Sequence, residues 1–307
     1  MITTIVISKD KPAQLHLLLE SLEKNAGNLF CVTVVYEYTN ENIRLGYEKV
    51  QDFFYTKNKR GVNFPIRWWK KRGTNLVDNI IQASYDNNDL ICLLNDENIL
   101  FGRPCAYSKI KDLFATHSLA ALSLRLGNNT VIQNPYERSS YFADIPKEGE
   151  FIDDTFLVWD AAAVKTYTNF AIPFSTNGHI FYKNVLYNVL FGLDIESEET
   201  FEEHVQNTLH SGKFEGKVPS RMACLEYSVV IRNSLLKISD EEDNGLGISD
   251  DTINVRYLEG KLIDYSFFDF SAISKPYEDF VVRFSDGYSS DKKQREGSIA
   301  FFSGTER

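Results

Sequence analysis

The amino-acid sequence predicts an α/β protein, a mixed and mostly parallel sheet flanked by helices, on three observations. Short β-branched apolar runs alternate with amphipathic helical patterns from the first residues onward. The first strand, the helix after it and the second strand together span about the 30 residues that a right-handed parallel crossover needs. Leu90 to Leu94 is apolar without a break, the pattern of a strand covered on both faces of a parallel sheet.

The elements follow in order. Ile2 to Ile7 reads as the first strand, and Ser8-Lys9-Asp10-Lys11-Pro12 as a polar turn in which Asp10 can cap a helix with Pro12 in its first turn. Leu15, Leu18, Leu19 and Leu22 fall at i, i+3, i+4 and i+7 and form the buried face of that helix, which Asn25-Ala26-Gly27-Asn28 ends. Phe30 to Tyr36 is the second strand, ending at Glu37. Asn40 to Lys59 is helical in pattern, Phe64 to Trp69 is extended, and Thr74 to Tyr85 is helical with Leu76, Ile80, Ile81 and Ala83 on one side. The strand Leu90 to Leu94 ends abruptly in Asn95-Asp96-Glu97-Asn98. After Gly102-Arg103-Pro104 a helix runs to about His117, and a strand from Leu119 to Leu126. Beyond it the alternation fades. Residues 128 to 155 are loop-rich, Phe156 to Trp159 is a strand, Ile180 to Phe191 reads as helical, and the acid-rich stretch 194 to 217 as a surface helix or lid. Asp240 to Gly245 reads as an exposed loop and Ser285 to Arg307 as a flexible tail.

Composition excludes several classes. With 43% hydrophobic and 25% charged residues among 307, the chain is globular rather than collagen-like or disordered. Its formal charge of −10 repels a polyanion and argues against coating nucleic acid. Cys31, Cys92, Cys105 and Cys224 are scattered, with neither zinc-ligand nor disulfide-framework spacing. The first residues lack a basic leader and no window holds 18 apolar residues, so the expectation is a cytoplasmic protein without a membrane span. G-x-S-x-G, GxxxxGK[ST], HExxH and GxGxxG after the first strand are absent, which removes most hydrolase, P-loop, zincin and dehydrogenase readings.

Asn95-Asp96-Glu97-Asn98 carries the most chemistry. In extended chain, side chains two apart share a face, so Asn95 with Glu97, or Asp96 with Asn98, can offer two oxygens to a hard cation such as Mg²⁺ or Mn²⁺. The bland alternative is a solvated turn. Arg125, at the end of its strand, shares the sheet edge with Asp96 if the strands are parallel, and either grips a phosphate or pairs with a nearby acid. Lys9, Lys11 and Arg72 are further phosphate contacts, unless they simply face solvent. His179 can act as a base or metal ligand, or be a satisfied buried ring. Asp153 and Asp154 are the alternative base pair, or a cap or turn.

The proline-bearing turn after the first strand, Glu37 at the end of the second, Gly73-Thr74-Asn75 opening a helix with Asn79, and the strand end Leu93-Leu94-Asn95-Asp96-Glu97 together resemble the GT-A-fold nucleotide-sugar glycosyltransferases of the family-2-like kind. The resemblance spans residues 2 to 126, and more weakly Trp159-Asp160 and Pro173 to Phe181. It implies a GT-A-type, Rossmann-like sheet and a metal-assisted, inverting transfer from a nucleoside-diphosphate sugar to an acceptor hydroxyl on a glycan, lipid-linked sugar or protein. It implies that Ser8, Lys9, Glu37, Asn75, Asn79, Arg125 and Asp96 contact the nucleotide sugar, that Asp96 and Glu97 hold Mn²⁺ or Mg²⁺, and that His179 or Asp154 serves as base. The D-x-D motif of that family is degenerate here, with Asn at 95 and 98. The organisation it suggests is a nucleotide-sugar half at 1–126, an acceptor-side half of the same domain at 127–284, and the tail at 285–307. A glycosyltransferase-like binder without catalysis and a nucleotidyltransferase are the two rivals.

Overall fold

The structure, a computed structural model, describes residues 1–133, 141–142, 145–146, 148–164, 168–212, 214, 216–233, 237–238, 249–266, 268–277 and 281–286. The strands in chain order are β1 (Ile2–Lys9), β2 (Phe30–Glu37), β3 (Ile66–Lys70), β4 (Leu90–Asn95), β5 (Asn98–Leu100), β6 (Leu119–Ser123), β7 (Ile132–Gln133), β8 (Tyr141–Phe142), β9 (Glu150–Ile152), β10 (Phe156–Asp160), β11 (His179–Tyr182), β12 (Arg221–Leu225), β13 (Val230–Arg232), β14 (Lys237–Ile238), β15 (Lys261–Asp264) and β16 (Val281–Asp286). The helices are α1 (Pro12–Ala26), α2 (Glu41–Lys59), α3 (Leu76–Ala83), α4 (Tyr107–Thr116), α5 (Lys183–Leu190), α6 (Phe201–His210) and α7 (Asp250–Leu258).

Nine strands form one sheet in the order β3-β2-β1-β4-β11-β6-β12-β10-β9. Seven of them run one way, and only β11 and β10 oppose them. The alternation along β1 and β4 explains the layering. Ile2, Val6, Leu90, Cys92 and Leu94 enter one core with α1, α2, α4 and α7. Ile5, Ile7, Ile91 and Leu93 face the other, with α3, α5 and α6. The chain leaves β1 for β2 and β3 on one side and then returns to β4 on the other, so right-handed crossovers put α1 and α2 on one face and α3 on the opposite one. The mostly parallel, helix-flanked sheet expected from the sequence is the observed architecture.

Four local expectations change. Asp10 does not cap α1. It sits at φ 59°, its Oδ1 accepts from Thr39 N at 2.7 Å, and Lys11 occupies the cap position without a side-chain bond. The strand after α4 stops at Ser123 instead of Leu126, because the Ser123 hydroxyl accepts from the backbone N–H groups of Arg125 (3.3 Å) and Leu126 (3.1 Å) and turns the chain. His179 to Tyr182 is not helix but β11, wedged antiparallel between β4 and β6, and the helical pattern starts only at Lys183. Of the expected tail, Ser285 and Asp286 close β16 against β15, and residues 287–307 lie outside the described residues, as does the loop 240–245.

Candidate functional site

The register of the sheet builds the site. Lys9 lies opposite Glu37 across β1 and β2, and Ile7 opposite Asn95 across β1 and β4, so three strand ends open on one edge. The crevice lies where the order of strands reverses, the place at which open α/β sheets bind ligands. A cavity of about 220 Å³ occupies it, floored by Ser8 to Lys11, Asn95 and Asp96, walled by Glu37, Lys71 and Asp250, and covered by Glu196 to Glu199.

Asp96 is buried at the floor. Its carboxyl accepts from Lys9 N at 3.0 Å while its own N–H donates to Ile7 O at 3.0 Å. Burial pushes this carboxyl up to about 8, against the pull of the Lys11 ammonium, so it holds its proton at neutral pH. Glu97 faces the other way: Oε1 takes the Lys11 ammonium, and Oε2 accepts from Arg232 Nε at 2.9 Å. Arg232 reaches it because β13 pairs with β5, setting Arg232 opposite Asn98, and its Nη2 lies 3.6 Å from Glu198 Oε2. Glu37 is held by Lys71 at 3.1 Å and Lys9 at 3.8 Å.

The asparagines tie the floor together. Asn95 Oδ1 accepts from Glu97 N (3.2 Å) and Asn98 Oδ1 from Asn95 N (3.0 Å). The Nδ2 groups of Asn95 and Asn98 both donate to Asn177 Oδ1 at 3.1 Å, and Asn95 Nδ2 also donates to Glu198 at 2.8 Å. The side-chain oxygens of Asn95 and Asn98 are therefore engaged within the turn, and the carboxylate of Glu97 by two cations. No group of three or more His, Cys, Asp or Glu among the described residues is arranged to hold a metal ion. Asp96 lines the cavity, while both oxygens of Glu97 are taken up by ion pairs with Lys11 and Arg232.

Of the residues singled out in the sequence, Ser8, Lys9, Lys11, Glu37, Asn95 and Asp96 meet at this cavity, and Glu97 pairs with Lys11. Arg72, Asn75, Asn79, Arg125, Asp153, Asp154 and His179 do not line it. Asn75 caps α3 through Val77 N (2.9 Å) and donates to Leu193 O (3.1 Å). Asn79 is buried. Its Oδ1 accepts from Trp69 Nε1 (3.2 Å) and Arg72 N (2.8 Å), and its Nδ2 donates to the carbonyls of Arg72 and Asn75 (2.8 Å each). Arg125 is wholly enclosed, stacked 4.6 Å from the Tyr277 ring centroid and donating to Asn169 Oδ1 at 3.2 Å, because the turn after Ser123 carries it inward from the sheet edge. His179 is buried between β4 and β6. Its Nδ1 donates to Pro173 O at 3.0 Å, and burial, aided by the Arg125 charge, lowers it to about 4. Asp154 is exposed in the β9–β10 turn, where Asp153 and Asp154 both have φ 49° and Thr155 N donates to Ile152 O at 3.0 Å. Four strand spacings, about 19 Å, separate β10 from β4.

Sequence reading passed over Arg232, Asp250, Glu198 and Glu199. The signal for the last two was the acid pair just ahead of α6. Glu199 lies on the exposed rim. Burial works against its ionisation, but a hydrogen bond from Ser197 and the charges of Lys9 and Lys11 keep it below the usual carboxylate range.

No protein-family description matches the sequence, and no curated protein matches it. Among solved structures the chain is similar to S. aureus TarS, at 12% identity and a TM-score of 0.42 over 75% of this chain and 36% of that one. It is also similar to residues 1–349 of TarS, at 11% identity and a TM-score of 0.43 over 59% of that chain. A cytidylyltransferase from Leptospira borgpetersenii aligns at 17% identity and a TM-score of 0.37, over 89% of this chain and 90% of that one. The chain thus spans between about a third and three fifths of the TarS chains it matches. No helix among the described residues is long and apolar enough to cross a membrane.

Proposed function

We propose that the protein is a glycosyltransferase of GT-A type that moves a sugar from a nucleoside-diphosphate donor to an acceptor hydroxyl. The observation that carries this reading is the meeting of the turn after β1, Glu37 and Asp96 in one cavity at the switch point of the sheet. A carboxylate at the end of β2 is placed to accept hydrogen bonds from ribose hydroxyls. Lys9 and Lys11 flank the same floor and meet phosphate oxygens.

Glu199, ionised at neutral pH and on the open side of the cavity, is the base in this reading, in place of His179 or Asp154. The acceptor hydroxyl gives its proton to Glu199, its oxygen bonds to the anomeric carbon, and the bond from that carbon to the phosphate oxygen breaks, which releases the nucleoside diphosphate with inversion.

The test is a melting-temperature screen against UDP-, GDP-, CMP- and dTDP-linked sugars, followed by donor cleavage with the one that binds. Wild-type protein is expected to be stabilised by one nucleotide and to cleave its sugar, at a saturating ligand by about 2.7 kcal/mol at 100 times Kd. Glu199→Gln is expected to keep the stabilisation and lose turnover by about 10² or more. An unaltered Glu199→Gln rate removes the base assignment, and no stabilisation by any nucleotide overturns the function. A second reading, a glycosyltransferase-like protein that binds without turnover, is favoured by the use of Asn95 and Asn98 to brace the turn, and binding with no cleavage in wild type supports it.

A further inference from the structure

We infer that Glu202, at the start of α6, is a positioning residue for the cavity floor: it is the terminal acceptor that holds Asn177, and Asn177 holds the turn that presents Asp96. The effect expected on a nucleotide rests on the reading above, and the positioning itself does not.

The hydrogen bonds run one way. Asn98 Oδ1 accepts from Asn95 N at 3.0 Å, and Asn95 Oδ1 accepts from Glu97 N at 3.2 Å. Backbone N–H groups only donate, so both side-chain amides must aim their oxygens into the turn and their Nδ2 groups out of it. Both Nδ2 groups then donate to one atom, Asn177 Oδ1, at 3.1 Å. That sets the Asn177 amide, whose own Nδ2 is left facing the other way and needs acceptors. It meets Glu202 Oε1 at 3.1 Å and Ser175 Oγ at 3.3 Å. Ser175 Oγ also accepts from Asn177 N at 3.1 Å and donates its proton to Glu202. Both routes from Asn177 therefore end on one carboxylate oxygen. An ionised carboxylate is an acceptor only, which suits the end of a chain whose earlier members all donate onward.

The surroundings keep that acceptor ionised. Burial opposes the charge, but the Arg125 guanidinium and the bonds from Ser175 and Asn177 outweigh it and hold the carboxyl below the usual range. Ser175, Asn177, Asn95 and Asn98 are all buried, so a broken link is not made good by bulk water. Asn95 has a second hold, because its Nδ2 also donates to Glu198 at 2.8 Å, whereas Asn98 Nδ2 has Asn177 as its one acceptor among the described residues. The Asn95 N–H, which is held by Asn98, is thus the backbone group most dependent on the chain. Asp96 lies between these braced residues and lines the cavity, while Glu202 does not line it, so any influence of Glu202 on a ligand passes through Asn177.

The test exchanges the two groups. Asn177→Asp keeps an oxygen toward Asn95 and Asn98 but sets a second carboxylate oxygen against Glu202, with no donor on either. Adding Glu202→Gln puts a donor opposite that oxygen and returns the cluster to one negative charge. Two readouts are taken on the full chain: amide hydrogen exchange, and calorimetric titration of UDP, GDP, CDP and dTDP, each with and without Mn²⁺. In Asn177→Asp the Asn95 N–H is expected to exchange about tenfold faster relative to the amides of β1, and the diphosphate that wild type binds is expected to bind about tenfold more weakly. In the double variant both are expected to return to within about threefold of wild type. A merely structural role would lower the melting temperature and leave Kd of the folded protein unaltered, so an unaltered Kd in Asn177→Asp overturns the inference. Exchange that rises equally at Asn95 and in β1, or a double variant no better than Asn177→Asp, overturns it too. If wild type binds none of the four diphosphates, the nucleotide reading falls, while recovery of Asn95 protection in the double variant still supports the positioning. If Asn177→Asp does not fold, recovery of the far-ultraviolet circular dichroism in the double variant carries the test, and an unfolded double variant overturns the inference.

Discussion

Replacing Arg125 with methionine separates a phosphate grip from a buried structural cation. The guanidinium is fully enclosed, stacks on Tyr277 and donates to Asn169, while its Nε and Nη1 have no hydrogen-bond partner among the described residues. Its field is what opposes burial at Glu202 and, with bonds from Ser175 and Asn177, holds that carboxyl below the usual range. Removing one member of such a buried pair costs about 3–5 kcal/mol, because the other charge is left in place. With about 2.1 cal/mol/K per residue over 307 residues, a loss of ~4 kcal/mol lowers Tm by about 6 °C.

The sign of the pH dependence follows from Glu202. With Arg125 present, the lowered carboxyl contributes stability above its unfolded value, and that stability is lost as pH falls. Without Arg125, burial at Glu202 is opposed chiefly by the bonds from Ser175 and Asn177, so the carboxyl rises from its lowered position, and the stability lost is that of the ionised form, which matters less as pH falls. Thermal melts of Arg125→Met at pH 7.5 and pH 5 are therefore expected to show a larger deficit at the higher pH. The double variant Arg125→Met, Glu202→Gln is expected to recover most of it. A deficit below about 1 kcal/mol at pH 7.5, together with lost nucleotide binding, would refute the structural assignment and return Arg125 to the phosphates.

Two further outcomes follow from the same geometry. Asp96→Asn is expected to gain Tm relative to wild type as pH rises from 5 to 8: above about 3.9 the unfolded chain releases its proton while the folded carboxyl keeps it until about 8, so wild-type stability falls through that window and an amide's does not. An equal Tm difference at both pH values would remove the buried-proton account. Asn79→Ala is expected to cost ~2–4 kcal/mol in urea unfolding, since Trp69 Nε1–H and Arg72 N–H lose their acceptor, with Kd for the nucleotide unchanged in the folded protein. A Kd weakened about tenfold at unchanged stability would instead make Asn79 a ligand contact.

How legible the protein is depends on which forces act locally. β1 to β4 and α1 to α3 could be read from periodicity, because β1, β2 and β4 are apolar on both faces and each helix on one. That reading already put Ser8, Lys9, Glu37 and Asp96 at strand ends on one edge. It failed at His179 to Tyr182, whose apolar run suits a helix or a strand equally until β4 and β6 bracket it. It failed at Arg125 as well, since a strand that ends three residues early turns its side chain from the sheet edge into the interior.

The amino-acid sequence by itself determined the α/β class, the strand ends that carry the polar residues and the absence of common hydrolase and zinc motifs. Those follow from the pattern of neighbours within a few residues. The tertiary structure alone decided which charges meet. Lys11, Glu97, Arg232 and Glu198 come from four separate stretches of chain, and only the pairing of β13 with β5 and the fold of the 195–199 segment over the edge bring them within contact. Electrostatic pairing depends on distance through space, and distance through space is set by sheet register and packing, which no local pattern encodes.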